Sequence, residues 1–352
     1  MSNRYLFLSL VLASSVLTGD EFVSEPAFFN EQNFFCCEEQ PCLEVRGEYL
    51  CFQTTWDQAH YVISARDNFF DGEHHPIGRR HLNNPPYKSG FRVETTYMFQ
   101  DRPNDLDLRF TWLQSSHTSR VVGPVLWDTK GFPGDGTQRP EDIFYDGFAQ
   151  DSVNFHYYGG DLTFNRISAG CCGENLSFLV GLHFAYIKFR ENFISAGTYV
   201  DDGVTVANSN NLVHTSRFWG IGPEFGVDYK YDFWDIGQGS LTFVANARAA
   251  LLASNTKPCF SDVTSRTGPD GVHLSNDTLW RVTPTFDARL GLSYNFGCAS
   301  FIGALEVGYE MLWYGNAIDQ ITGLDVAYAG SSIDLHSNLN AQGPYVALTF
   351  GF

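Results

Sequence analysis

The sequence has no apolar run long enough to cross a membrane as a helix. Its longest, Tyr5 to Leu17, falls short of the ~18–20 residues a helix needs, and no later window comes near that length. A helical membrane protein is thereby excluded. Charge is also scarce: Asp, Glu, Lys and Arg make up 18% of the residues, and 22 Lys and Arg face 40 Asp and Glu. That balance does not court nucleic acid, whose continuous phosphate backbone demands an extended basic face. What the chain has in excess is aromatic residues, at 16% with 31 Phe, 17 Tyr and 7 Trp. Such an excess suits lipid-facing bands and interfacial girdles more than a soluble core.

The stretch Trp280 to Phe296 shows how these residues are spent. Its even positions from 282 are Val, Pro, Phe, Ala, Leu, Leu, Tyr and Phe, while its odd positions carry Arg281, Asp287, Arg289 and Asn295. A period of two is a strand with one apolar and one polar side. Its length exceeds the 5 or 6 residues of an ordinary strand and meets the roughly 9 to 11 of a tilted membrane strand.

Ten segments carry this period. They are Leu43 to Thr54, Gly90 to Phe99, Leu106 to Leu113, Tyr157 to Asn165, Leu176 to Tyr186, Phe218 to Tyr231, Leu241 to Leu252, the stretch above, Phe301 to Trp313, and Pro344 to Phe352. The connections alternate without exception between short turns, such as Gly297 to Ser300, and stretches above 20 residues, such as Ile187 to Arg217 and Tyr314 to Gly343. Short turns on one side and long loops on the other are the asymmetry of an outer-membrane barrel. Closure follows from energetics, because backbone groups in hydrocarbon must all be paired and an open edge cannot be. The expected fold class is therefore all-β: a transmembrane antiparallel up-and-down barrel of about ten strands. Strands hidden in the long connections, for example Gly203 to Ala207 or Leu324 to Tyr328, would raise the number to 12 or 14.

The domain reading is a signal peptide over 1–19, a cysteine-bearing periplasmic segment over 20–42, and a barrel with five long extracellular loops over 43–352. Arg4 followed by Tyr5 to Leu17 gives the signal its form. Asp20 stands where a lipidated Cys would have to be, which excludes a lipid anchor.

In this register the inward, lumen-lining set is Arg92, Glu94, Asp107, Arg109, Glu224, Asp228, Arg248, Arg281, Asp287, Arg289, Glu306 and Glu310. The signs are mixed, so strong selectivity is not expected. Lys188 lies on the apolar parity just past the fifth segment, where its stem can snorkel to an interface. Of the eight cysteines, Cys36, Cys37, Cys42, Cys171, Cys172 and Cys298 map to the periplasmic side and are disulfide candidates. They would either staple the N-terminal segment to the turns or cross-link neighbouring molecules. A zinc site on Cys37 and Cys42 lacks a second ligand pair. His74, His75 and His81 read as a solvated loop, so no metal and no cofactor is expected.

The C-terminal Phe352, ending a strand with Val346, Leu348 and Phe350 on one face, looks like the signal read by the barrel assembly machinery. Together with Phe218-Trp219-Gly220-Ile221-Gly222-Pro223-Glu224-Phe225-Gly226 it resembles the Legionella-type pore-forming major outer membrane protein family, also represented among environmental chlamydiae. The glycines of that run sit within an alternating strand and do not open a helix, so they do not form a nucleotide loop. The resemblance implies a porin-like role in the bacterial outer membrane and no catalytic residues. Its similarity to chlamydial outer membrane proteins implies disulfide-linked envelope partners or a homo-oligomer. The first expectation is accordingly a passive diffusion channel for small hydrophilic solutes, in contact with membrane lipid. Ten strands enclose a lumen that inward side chains can fill. A structural or adhesin coat barrel with a plugged lumen is the alternative, with an omptin-like enzyme behind it. No Asp-Asp with His-Asp cluster stands out near the outer strand ends, and no enzyme is expected.

Overall fold

A computed structural model describes residues 43–65, 78–99, 104–130, 143–168, 174–201, 204–236, 239–264, 272–298, 301–323 and 332–352. The signal peptide, the periplasmic N-terminal segment and Leu324 to Tyr328 lie outside the described residues. The strands in chain order are β1 Leu43–Trp56, β2 His60–Ala65, β3 Arg79–Leu82, β4 Lys88–Met98, β5 Asn104–Asp128, β6 Ile143–Ser168, β7 Glu174–Asp201, β8 Val204–Ile236, β9 Gly239–Thr264, β10 Val272–Ser275, β11 Leu279–Cys298, β12 Phe301–Gly323 and β13 Ser332–Gly351.

Ten of these form a closed antiparallel ring: β1, β4 to β9, and β11 to β13. The first and last strands of the chain pair across the closure, Glu44 opposite Gly351 and Trp56 opposite Leu339. Phe352 fastens the seam: its N–H donates to the carbonyl of Leu43 at 2.9 Å, and Leu43 N–H donates back at 3.3 Å. The other three strands are annexes. The β2 strand adds to the outer end of β5, β3 pairs with β2, and β10 pairs with β9.

The alternation places lipid and interior as the period demands. Val282, Leu290 and Phe286 are 67%, 58% and 39% exposed, whereas their neighbours Asp287 and Arg289 are each 8% exposed. The run from Trp219 to Tyr231 rises about 3.3 Å per residue; tilted about 40°, it covers about 30 Å, the thickness of the hydrocarbon. At its outer edge the register aligns Trp112, Tyr158, Tyr186 and Trp219 on four adjacent strands. Trp280 completes the belt across Asn255, and its ring lies edge-on to Trp219 with centroids 5.4 Å apart.

The strands do not stop at this belt. β7 and β8 run 28 and 33 residues and meet across residues 202–203, so Ile187 to Arg217 is a hairpin standing above the bilayer and not a loop. Of Gly203 to Ala207, considered as an extra strand, Val204 to Ala207 are the first residues of β8 and Gly203 lies outside the described residues. Residues 114–128 and 143–156 are likewise strand. The period of two continues there with its phase inverted: Ile187, Phe189 and Phe193 point inward and are buried, while Lys188, Arg190 and Asn192 point out. Outside the hydrocarbon the outer face meets water and the inner face meets a buried core, so a pattern defined as apolar-outward ends at the belt although the strand does not.

Candidate functional site

The barrel interior is the only enclosed volume the described strands share, and its lining comes from the inward parity of all ten. Within the bilayer that lining is ionic. Glu48 accepts from three arginines: Arg46 Nε at 2.6 Å, Arg92 Nη1 at 2.8 Å and Arg289 Nη1 at 2.8 Å. Arg46 also reaches Glu306 at 2.8 Å, and Tyr345 Oη donates to Glu306 at 2.6 Å. Arg92 holds Glu310 through both terminal nitrogens and gives its Nε to Thr111. Three guanidinium groups thus face three carboxylates, a neutral set whose forked donors match carboxylate geometry.

A second cluster adjoins the first. Arg109 donates to Asp161 at 2.6 Å and to Asp287 at 3.2 Å, with Glu224 at 3.9 Å. His183 Nδ1 contacts Asp161, and its Nε2 contacts Tyr314 Oη at 2.8 Å, which in turn bonds Tyr157 Oη at 2.7 Å. Asp161, His183 and Glu224 bring potential metal-ligating atoms within 4.8 Å of one another. Arg109 sets one positive charge against those two carboxylates, and Arg248 lines the same space. The space left beside this cluster is a cavity of ≈ 10 Å³, at the lower limit for a single water.

Above the belt the interior holds apolar clusters beside buried polar groups, among them Glu191 paired with Lys130 at 2.8 Å. Phe52, Trp56, Phe155, Ile187, Phe189, Phe218, Leu252 and Leu339 are all buried in one cluster. Farther out, Tyr61, Val62, Leu126, Phe193, Leu212, Phe260 and Ile321 form another. Tyr61 comes from the β2 annex, which folds over the mouth and sets its ring against Phe193 at 6.3 Å. A bulge in β12, where Asn316 takes a left-handed conformation (φ 52°), carries the strand inward so that Asp319 N–H donates to Ser216 on β8 at 3.1 Å. Asn tolerates that backbone with little strain.

The sequence-selected lining residues fall at several heights. Arg92, Arg109, Asp287, Arg289, Glu306 and Glu310 build the ionic clusters, and Glu224 borders them. Asp107 accepts from Asn165, and Asp228 accepts from Asn246. Arg248 is buried beside the small cavity. Glu94 is half-buried, and Arg281 sits higher, 2.8 Å from Asp319. Four central members were not selected: Arg46, Glu48, Asp161 and His183. All four share the polar parity of their segments and were legible by that rule. Cys298 ends β11 opposite Phe301 at the short-turn rim. Cys36, Cys37, Cys42, Cys171 and Cys172 lie outside the described residues. Cys51 and Cys259 are free thiols.

Glycines make room for this lining. A Cβ at Gly308 or Gly291 would come within 2.6 Å of Tyr345 Oη, so both must be glycine for the tyrosine to reach Glu306.

Among the buried polar groups beyond the bilayer, Asp262 has neither carboxylate oxygen hydrogen-bonded. Burial pushes its carboxyl up to about 7. The folded state then holds the proton more tightly than the unfolded chain, where an aspartate titrates near 3.9. Stability therefore falls as pH rises from about 4 to about 7. Replacing Asp262 with Asn is expected to stabilise the barrel by about 1–3 kcal/mol at pH 8, the cost of an unsatisfied buried acceptor, and to change little at pH 4. Heat-modified gel mobility followed against temperature at the two pH values measures this.

The family described as Legionella pneumophila major outer membrane protein precursor matches residues 36–352. No curated protein matches the chain. Among solved structures, the outer membrane protease OmpT from Escherichia coli is similar at 10% identity and TM-score 0.41, covering 88% of this chain and 96% of that one. A Pseudomonas aeruginosa FadL homologue aligns at 8% identity and TM-score 0.28, over 89% and 90% of the two chains. The Pseudomonas putida toluene transporter TodX aligns at 5% and 0.27, over 88% and 90%.

Proposed function

Since the chain belongs to the Legionella major outer membrane protein family and is a ten-stranded barrel of the bacterial outer membrane, we propose that it serves there as a closed structural wall protein and not as an open diffusion channel. The observation that supports this reading is the filled lumen. A solute path needs a continuous column of water, and the described interior offers an ion-paired layer followed by two apolar clusters and a folded annex. Opening that path would separate buried charges whose partners are all within the barrel, each at a cost of several kcal/mol. The ten-stranded ring is of the size in which inward side chains fill the bore. The proposed role involves no catalysis, cofactor or metal.

In this role the disulfide candidates Cys36, Cys37, Cys42, Cys171, Cys172 and Cys298 would tie the barrel to neighbouring envelope molecules on the periplasmic side. Envelope extracts run without reductant are expected to show oligomers that collapse to a single band with reductant; free migration without reductant contradicts the cross-linking.

Conductance tests the closed state itself. Folded, heat-modifiable protein inserted into a planar bilayer is expected to give no steady current above the bare-membrane level. Stepwise, long-lived openings would restore the channel reading.

A further inference from the structure

Outside the aromatic belt, one register row of the outer surface carries cations on three neighbouring strands and an imidazole on a fourth. His156 on β6 lies opposite Lys188 on β7, Lys188 opposite Arg217 on β8, and Arg217 opposite Lys257 on β9. Each stands two residues beyond the belt position of its own strand: Tyr158, Tyr186, Trp219 and Asn255. The shared parity aims these side chains to the lipid-facing side. Arg190 adds a further cation one row out, on the same face of β7.

This stripe is not a sample of a basic surface, since the whole chain has a net charge of −18. Charge is sorted by face. The outward positions of β5 to β9 over these three rows are Gln114, Ser116 and Thr118; His156, Asn154 and Ser152; Lys188, Arg190 and Asn192; Arg217, Thr215 and Val213; and Lys257, Cys259 and Ser261, with no carboxylate among them. The nearby carboxylates Asp151, Glu191 and Asp262 all point inward and are fully buried. Next to the row is an open cleft of ≈ 480 Å³ lined by Ser116, Thr118, Ser152, Asn154, Arg190 and Asn192. Hydroxyls, amides and a guanidinium are the donors and acceptors that sugars and phosphates use.

We propose that this face of the barrel, centred on Lys188, Arg217 and Lys257, binds the phosphorylated sugar headgroup of an outer-leaflet glycolipid. Height decides the ligand. Aromatic belts sit at headgroup level, so groups about one row farther out meet the phosphates and sugars of the lipid whose acyl chains cover the apolar band below. The row spans three inter-strand gaps of about 4.8 Å each, wide enough for two phosphates carried on a disaccharide. Arginine grips each phosphate in a bidentate way and lysine as a point charge.

The test uses the full barrel folded in neutral detergent, with native mass spectrometry as readout and diphosphoryl lipid A as probe. The wild type is expected to retain the probe. The K188Q/R217Q/K257Q variant, with unchanged heat-modifiable mobility, is expected to bind it at least tenfold more weakly. Replacing Arg79 and Arg80, exposed cations on β3, with Gln is expected to leave binding unchanged. Should the triple variant fail to fold, Arg217→Gln alone carries the test, with at least a threefold loss expected. The proposal is overturned if the Lys188, Arg217 and Lys257 variant binds as the wild type does. It is equally overturned if R79Q/R80Q weakens binding as much, or if phosphatidylglycerol, dephosphorylated lipid A or free inorganic phosphate competes on equal terms.

Discussion

Replacing Arg92 with alanine is expected to lower the stability of the folded barrel by about 3–5 kcal/mol, the cost of breaking a buried charge network by removing one partner. The side chain is 1% exposed and lies between Glu48 at 2.8 Å and the two oxygens of Glu310. Its loss leaves Glu310, which is fully buried, with no cation bonded to it. Glu48 keeps Arg46 and Arg289 and is less affected. Two further variants separate network energy from simple volume. Arg92→Lys keeps the charge but not the fork and is expected to recover only part of the loss. The double variant R92M/E310L removes both partners and is expected to lie closer to the wild type than R92A does, because no charge is then stranded. Urea unfolding in liposomes, followed by tryptophan fluorescence, reads all three.

A charge placed on the opposite face is the second large effect. Leu290→Arg is expected to cost about 2–4 kcal/mol near the bilayer midplane and to reduce the folded yield in lipid. Leu290 is 58% exposed, and the arginine one residue earlier is 8% exposed. The chain therefore tolerates Arg289 and should reject an arginine at 290, since one lies in the ionic layer and the other in hydrocarbon. The same substitution at Lys188, on the same parity but beyond the belt, is expected to be neutral for folding. Folded fractions on cold-loaded gels compare the two positions directly.

The ring of ten strands was legible because alternation is a local property and closure a consequence of it. Arg281 to Phe296 needs no tertiary information to be read as a ribbon with unlike faces. The height of the strands was not legible by the same rule. Ile187, Phe189 and Phe193 put apolar side chains on odd positions, where Leu176 to Tyr186 puts them on even ones, and an apolar-outward criterion reads that inversion as an ending. Inside the lumen, parity identified which residues face inward but not how they meet. Glu48, Arg92 and Glu310 are separated by 44 and 218 positions, and only the closure of the ring brings them together. The fill of the bore likewise depends on apolar residues above the membrane, such as Phe155 and Phe189, which the sequence alone does not distinguish from loop residues.

The central claim is that within each strand one side faces lipid and the other a sealed, dry interior. Nitroxide labels at positions 285 and 286, introduced singly into the barrel in proteoliposomes, test it through collision with oxygen, which partitions into lipid, and with a water-soluble nickel chelate. Thr285 is 9% and Phe286 39% exposed. The label at 286 is predicted to be reached by oxygen and not by nickel, and the label at 285 by neither. Access of nickel to 285 would mean an aqueous bore, and protection of 286 from oxygen would mean that this ribbon does not face lipid; either result contradicts the account.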